Sequence, residues 1–243
     1  MSDGRASEES LRNVLGNDLT TAVVGDVLDA MGYHHQFLPP GIVPLQPGRK
    51  LVGRAMPALQ EDRPTPTNQP EDKPFGLLFE ALDDLKEGEV YLATGSTAAH
   101  YALFGGLMST RAQHLKAAGA VLDGYVRDAS EIEKLGFTVF SRGLYAQDQG
   151  ARGKVTRYRC AVTIGDVRVE PGDMLFGDPE GVVVIPKAVE QEAVRRAIEK
   201  ASTENRVEMA IRNGMSAGQA FETYDYFTGS TLDGIDNDGC HYA

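Results

Sequence analysis

Thiols, imidazoles and basic side chains are all scarce in this 243-residue chain. Its two cysteines, Cys160 and Cys240, lie far apart, and the second sits in a polar tail, so neither a disulfide framework nor a paired-thiol metal site is supported. The 24 lysines and arginines are outnumbered by 35 acidic residues, and the net charge of -11 argues against unaided binding to nucleic acid or to an anionic membrane. No apolar run approaches the ~20 residues of a membrane span. The opening MSDGRASEES lacks the basic-then-apolar order of a signal peptide. A cytoplasmic location, with no nucleic acid and no membrane as partner, is the expectation.

The five histidines offer little for a metal. His34 and His35 are adjacent in a proline-rich neighbourhood, so their rings point apart, and His100 and His114 have no ligand-like spacing. The tail segment DGIDNDG resembles a calcium loop only superficially, because Gly234 occupies a ligand position and the closing Glu is absent.

What the chain does have is a hydrophobic fraction of 42%, enough for one sizeable core. ESLRNVLG and TTAVVGDVLDAMG read as two N-terminal helices, the second carrying Val23, Val24, Val27, Leu28 and Met31 at helical spacing before Gly32. Residues 37–53 are punctuated by Pro39, Pro40, Pro44 and Pro47 and read as turns leading into a strand near Leu51. Residues 61–74 hold Pro64, Pro66, Pro70 and Pro74 among charges and read as a long loop, a candidate lid.

From residue 77 helices and strands alternate, the sign of crossover units. After Tyr158 come short β-rich runs that predict a compact β layer. Residues 187–213 carry Val189, Ala193, Val194, Ala197, Ile198, Ala201, Val207 and Ile211 on one stripe, the pattern of a long amphipathic helix. No internal repeat is evident. The chain divides into a helical segment at 1–20, one α/β domain at 21–228 and a flexible acidic tail at 229–243.

Two stretches carry chemistry. In FGGLMSTRAQHLKAAG, Gly105 and Gly106 let the backbone approach a ligand. The free amides of Leu107 and Met108 would open a helix whose positive end stabilises an anion by about 0.3–1 kcal/mol. Taken alone, the glycine pair reads first as a tight turn and only second as an anion site. In AVLDGYVRDASE, Arg127 and Asp128 follow an apolar strand, and ligand sites in α/β sheets favour the carboxyl ends of strands. Arg127 offers a fork matched to a carboxylate, and Asp128 a hard oxygen suited to magnesium or manganese. A surface ion pair with Glu131 opening a helix is the plainer reading of the same residues.

Together, Gly106, twenty residues, Arg127-Asp128, two residues and Glu131 form a pattern in which the chain resembles a known family. That family is the class II 4-hydroxy-4-methyl-2-oxoglutarate / 4-carboxy-4-hydroxy-2-oxoadipate aldolases, related to the regulator of ribonuclease activity A (RraA). The resemblance runs from GDVLDAMG at residue 25 to GVVVIP at 181 and includes GRAMPAL, DGYVRD, VFSRG and VEPGDMLFGDPEGVVVIP. It implies an RraA-like α/β fold (phosphohistidine-domain-like αββα) with a central β layer and a long C-terminal helix. It further implies homotrimers or homohexamers with a divalent-metal site, Mg2+ or Mn2+, between subunits.

Carried over residue by residue, the Gly105-Gly106 turn and the amides of Leu107 and Met108 hold the keto-acid carboxylate. Arg127 contacts that carboxylate and the keto oxygen, Asp128 binds the metal, and Glu131 orders metal-bound water. Glu204, in STENRV, matches an acidic residue donated by the adjacent subunit. The implied reaction is retro-aldol cleavage of 4-hydroxy-2-keto acids to release pyruvate, with oxaloacetate decarboxylation at the same site. Sugar-acid dehydration and non-catalytic regulation of a ribonuclease are the alternatives. One departure stands out: Gly106 occupies a position where related aldolases often carry an acid.

Overall fold

The structure, a computed structural model, describes residues 2–63, 65, 75–95, 101–224 and 226. Helix α1 (Ser2–Asp18) leads into α2 (Thr21–Ala30). The Thr20 side chain caps α2 by accepting the Val23 N–H, and Gly32, at φ +86°, follows its end as the spacing predicts. Val23, Val24, Val27 and Leu28 form its buried stripe.

Strands β1 (Val43–Pro44) and β2 (Leu51–Asp62) precede α3 (Leu78–Asp83) and β3 (Glu89–Thr94). Next come β4 (Ala102–Phe104), α4 (Gly106–His114), β5 (Gly119–Leu122), β6 (Tyr125–Val126), α5 (Ala129–Leu135), β7 (Val139–Ser141) and β8 (Gly143–Leu144). The chain finishes through β9 (Gly153–Tyr158), β10 (Val162–Ile164), β11 (Val167–Val169), β12 (Met174–Asp178), β13 (Gly181–Ile185), α6 (Glu190–Arg212) and α7 (Ala217–Thr223).

One large sheet has the order β1-β7-β5-β3-β2-β12-β13, with β9 also on β2. Its middle, β7-β5-β3-β2, is parallel, and β1, β12, β13 and β9 pair antiparallel. The segment 36–44 then joins the two edges. Leu38 N–H donates to Val182 O and Val184 N–H to Gln36 O on one side, and β1 lies on β7 on the other. The sheet therefore curls into a nearly closed barrel, and the proline-rich run read as turns supplies its seam.

Period-2 alternation sorts the side chains between inside and outside. Val90, Leu92, Val121, Phe140, Leu175, Val182 and Val184 share one interior cluster, into which the β10–β11 hairpin packs Val162, Ile164, Val167 and Val169. The alternate residues Tyr91, Ala93, Ala120, Leu122 and Val139 face outward into a core covered by α3, α4 and α5. On the antiparallel side Met174, Phe176, Val183 and Ile185 meet α1, α2 and α6.

The expected β layer after Tyr158 is corrected in one respect: β9, β12 and β13 extend the large sheet, and β10–β11 alone forms a separate hairpin. The reason is the length of β2. One of its edges takes β12 along Leu51–Arg54 and β9 along Ala58–Asp62. Pro57 falls between them. Its carbonyl accepts from Arg159 N–H, so its missing N–H faces that same edge, where the ladder changes partner and the loss is tolerated.

The central stretch also holds a repeat that the sequence hides. Each of β3-β4-α4 and β5-β6-α5 is a long strand, a short strand and a helix, and β7-β8 begins a third unit. The short strands pair in parallel as a second sheet, β4-β6-β8. Thr94, Asp123 and Arg142, one at the end of each long strand, are linked across the units. Thr94 Oγ1 donates to Asp123 Oδ2 at 2.8 Å, and Arg142 Nε to Asp123 Oδ1 at 2.7 Å. Strands of two or three residues leave no periodicity to read, which is why the repeat escapes detection.

Helix α6 begins at Glu190 and ends at Arg212, within the predicted span. Its stripe differs from expectation, since Ile198 and Ile211 are 45% and 41% exposed in the single chain. The proline-rich segment starts inside β2, where Glu61 and Asp62 pair with Lys154 and Gly153. Residues 64 and 66–74, like the tail at 229–243, lie outside the described residues. No helix among the described residues is long and apolar enough to cross a membrane.

Asp178 fastens α2 to the β12–β13 hairpin. Its carboxylate, 3% exposed as a residue, accepts the Thr21 N–H and hydroxyl, each at 2.8 Å, and the Glu180 N–H at 2.9 Å. Asp178→Ala leaves the two Thr21 donors buried and unpaired and is expected to lower the unfolding free energy by about 2–4 kcal/mol, with Asp178→Asn costing less. Urea unfolding at neutral pH measures this, and an alanine variant within about 0.5 kcal/mol of the parent would show that the hairpin does not hold α2.

Candidate active site

Three chain turns meet where β4, β6 and β8 end. The first is Gly105-Gly106, where extended backbone at Gly105 passes into α4. A Cβ on Gly105 would sit 2.8 Å from Asp128 Oδ2 and 3.1 Å from Arg127 Cγ. One on Gly106 would sit 3.2 Å from Asp128 Cβ. Two glycines are therefore what lets the neighbouring turn approach this closely. The crowding also bears on what position 106 can hold, since a side chain there presses on Asp128.

Helix α4 takes its first main-chain bond at Ser109 N–H, which donates to Gly105 O at 3.0 Å. Gly106 N–H donates instead to Asp128 Oδ2 at 3.0 Å. The amides of Leu107 and Met108 have no acceptor among the described residues and stand at the positive end of the helix, as the sequence predicts. The Leu107 side chain is 88% exposed.

The second turn is Arg127-Asp128. The small sheet's hydrogen bonds continue up to it, with Arg127 N–H on Phe104 O and Tyr145 N–H on Val126 O. Asp128 is the first residue before α5 and adopts left-handed backbone, φ +60° and ψ +36°. Aspartate tolerates this conformation better than most residues. The consequence is a redirected carboxylate: the Asp128 side chain makes no capping bond to its own helix and reaches across to cap α4 at Gly106. Its main-chain carbonyl still accepts from Glu131 and Ile132 N–H, so α5 starts normally. Oδ1 of Asp128 has no hydrogen-bond partner among the described residues.

Arg127 is partly exposed and held loosely. Its Nε lies 3.7 Å from Asp128 Oδ2, and its Nη1 lies 3.2 Å from Asp148 Oδ1. Asp148 belongs to the third turn, after β8, and sequence reasoning missed it. YAQDQG contains no motif, and only the structural repeat, which its short strands hide from the sequence, places this turn beside the other two.

Glu131 stands near the site by its backbone, with its Cβ 3.5 Å from where a Gly106 Cβ would lie, but its carboxylate engages Lys134 at 2.8 Å. That bond is the main reason the Lys134 ammonium titrates above its ordinary range. Glu204 is not gathered with these groups by the contacts of its own chain: from α6 it meets Lys200 Nζ at 3.1 Å and the Tyr226 hydroxyl at 3.0 Å. His34 faces Asp29 at 3.6 Å, His114 closes the last turn of α4, and His100 lies outside the described residues. Among the described residues no three His, Cys, Asp or Glu side chains cluster as a metal cage.

Known proteins share this arrangement of chain. A family model described as RraA-like: Aldolase/RraA matches residues 21–184, which include all three turns and exclude Glu204. Protein DlpA of Legionella pneumophila is 30% identical over 206 residues, covering 85% of this chain and 32% of DlpA, so this chain spans about a third of that relative's length. A Halalkalibacterium halodurans protein named "Putative 4-hydroxy-4-methyl-2-oxoglutarate aldolase" is 27% identical over 203 residues, 84% of this chain and 90% of that one. The crystal structure of Streptomyces coelicolor RraAS2, described as an unusual member of the RNase ES inhibitor RraA protein family, matches with a TM-score of 0.71. It is 25% identical, covering 82% of this chain and 96% of that one. The barrel-like α/β fold, the three site turns and the match over residues 21–184 together make this chain a member of the RraA-like, Aldolase/RraA family.

Proposed function

We propose that this chain is a divalent-metal-dependent carbon–carbon lyase that cleaves 4-hydroxy-2-keto acids by a retro-aldol reaction to release pyruvate. Oxaloacetate would lose carbon dioxide in the same site. The observation that carries this reading is the convergence, at three neighbouring strand ends, of two helix-start amides and an Asp128 oxygen that have no partner among the described residues, together with the Arg127 fork.

The donor chemistry fits a hard cation. Magnesium is commonly held by one or two carboxylates with water completing its shell, so Asp128 Oδ1 suffices as the anchor and no cage of side chains is required. When bound, the metal supplies Lewis-acid withdrawal of charge from the 2-keto oxygen.

The chain's own residues do the rest. The Leu107 and Met108 amides hold the substrate carboxylate at the helix start. Arg127 spans that carboxylate and the keto oxygen, where negative charge grows as the C3–C4 bond breaks and its electrons pass into the pyruvate enolate. The C4 hydroxyl loses its proton as the second carbonyl forms, Glu131, at the edge of the site, orders the water that receives it, and return of a proton to C3 of the enolate gives pyruvate.

The proposal includes a second copy. Leu107, Leu144 and Tyr145 leave apolar side chains exposed beside the three turns, which supports cover by another subunit. Glu204, committed elsewhere within its own chain, is the acid that the neighbour would contribute to a homotrimer or homohexamer. Two further readings keep specific support. Glycine at 106 favours dehydration of a sugar acid through the same enolate, and the description of the Streptomyces protein favours regulation of a ribonuclease. Pyruvate release from a panel of 4-hydroxy-2-keto acids and oxaloacetate separates the retro-aldol reading from the other two.

Chelation is expected to abolish pyruvate release and magnesium or manganese to restore it, while Asp128→Ala behaves like the chelated protein. Full activity in excess chelator would remove the metal from the mechanism. Arg127→Lys keeps the charge and loses the fork, so kcat/KM should fall on the order of 10²-fold, and steady-state kinetics near the parent value would reduce Arg127 to a general electrostatic contact. For the shared site, Arg127→Ala and Glu204→Ala proteins refolded together should recover part of the activity each lacks alone. Mixed oligomers that form and stay inactive would exclude it.

A further inference from the structure

We infer that Asp148 is a positioning residue that sets the direction of the Arg127 fork. The inference rests on the proposed keto-acid site and adds a residue to it.

An arginine side chain is long, and its guanidinium grips two oxygens only when its plane is aimed. Arg127 is partly exposed, so packing alone does not aim it. Two carboxylates touch it. Asp128 is the looser, at 3.7 Å, and its oxygens are also claimed by Gly106 N–H and by the proposed metal. Asp148 is the closer, at 3.2 Å on Nη1.

Asp148 is itself immobilised. Its Oδ2 accepts the Gly150 N–H at 2.8 Å, and its carbonyl accepts Arg152 Nη1 at 3.1 Å. On one side Gln147 O accepts Ala102 N–H from β4, and on the other Gln149 O accepts the Arg152 and Gly153 N–H groups leading into β9. A Cβ on Gly150 would lie 2.8 Å from Asp148 Oδ2, so this tight turn suits glycine. The carboxylate is thus a fixed post between two strands. It pairs with Nη1 at 3.2 Å and leaves the other side of the guanidinium for the substrate.

A fork that is aimed rather than merely present matters most in the transition state, where the keto oxygen becomes an enolate. The expected signature is a loss in kcat with little change in KM. Asp148→Ala should lower kcat for pyruvate release about 30-fold or more. Asp148→Asn, which keeps an oxygen for Arg127, should lower it about tenfold or less, with KM within about threefold in both. Oxalate, shaped and charged like the enolate, is the binding probe. By calorimetry in saturating magnesium, its affinity should fall about tenfold in the alanine variant and less in the asparagine variant.

These readouts separate the possibilities. Alanine and asparagine variants that keep kcat and oxalate affinity within about twofold of the parent overturn the inference, as do equal losses in both variants accompanied by a matching fall in thermal stability. If the alanine variant fails to fold, the asparagine variant alone decides on the same two quantities. A parent protein that binds oxalate and releases no pyruvate defeats the lyase reading, and Asp148 is then judged by oxalate affinity. A parent that binds no oxalate has no keto-acid site for Arg127 to serve, and the inference falls with it.

Discussion

Strand β2 is shared by two halves that could not otherwise form one sheet. Along one edge it pairs with β3 and so with the parallel crossover units that carry the site. Along the other it pairs first with β12 and then with β9, which bring back the distant C-terminal half. Every outward core depends on this sharing: α3 to α5 cover the parallel strands, and α1, α2 and α6 cover the antiparallel ones. Arg54, inside β2, also grips Glu190 at the start of α6, tying the long helix to the same strand.

The site is an outcome of the repeat rather than of any one motif. Each unit ends a long strand in the barrel wall, adds a short strand in the second sheet and then turns. The row of Thr94, Asp123 and Arg142 keeps the units in step, so the three turns arrive side by side. Within that frame, left-handed backbone at Asp128 transfers a carboxylate from its own helix to the neighbouring one. One acid thereby stitches two units and still keeps an oxygen without a partner among the described residues.

Much of this was legible beforehand, for identifiable reasons. The valines of α2 and the stripe of α6 have helical spacing, and Gly105, Gly106, Arg127 and Asp128 stand at changes of pattern where a strand gives way to a helix. Their meeting followed from crossover logic. What stayed hidden lacked a local signal. The barrel seam at 36–44 is made of backbone hydrogen bonds in a segment whose prolines suggest only turns. The short strands are below any period. Asp148 is marked by no neighbouring motif, and its role depends on a contact twenty-one residues away in sequence. The exposure of Ile198 and Ile211 could not be read from spacing, because a helical stripe says which residues share a face and not what lies opposite.

The sharing of β2 also has a consequence for synthesis. The hydrophobic partners of α1 and α2, Met174, Phe176, Val183 and Ile185, and the acid that caps α2, Asp178, lie more than 140 residues downstream. While the ribosome is still making the crossover units, the N-terminal valines have no covering strand, and the outer edge of β2 is open. The N-terminal helices and the β12–β13 hairpin must therefore find each other late, and contacts of such long sequence separation are the kind that slow folding.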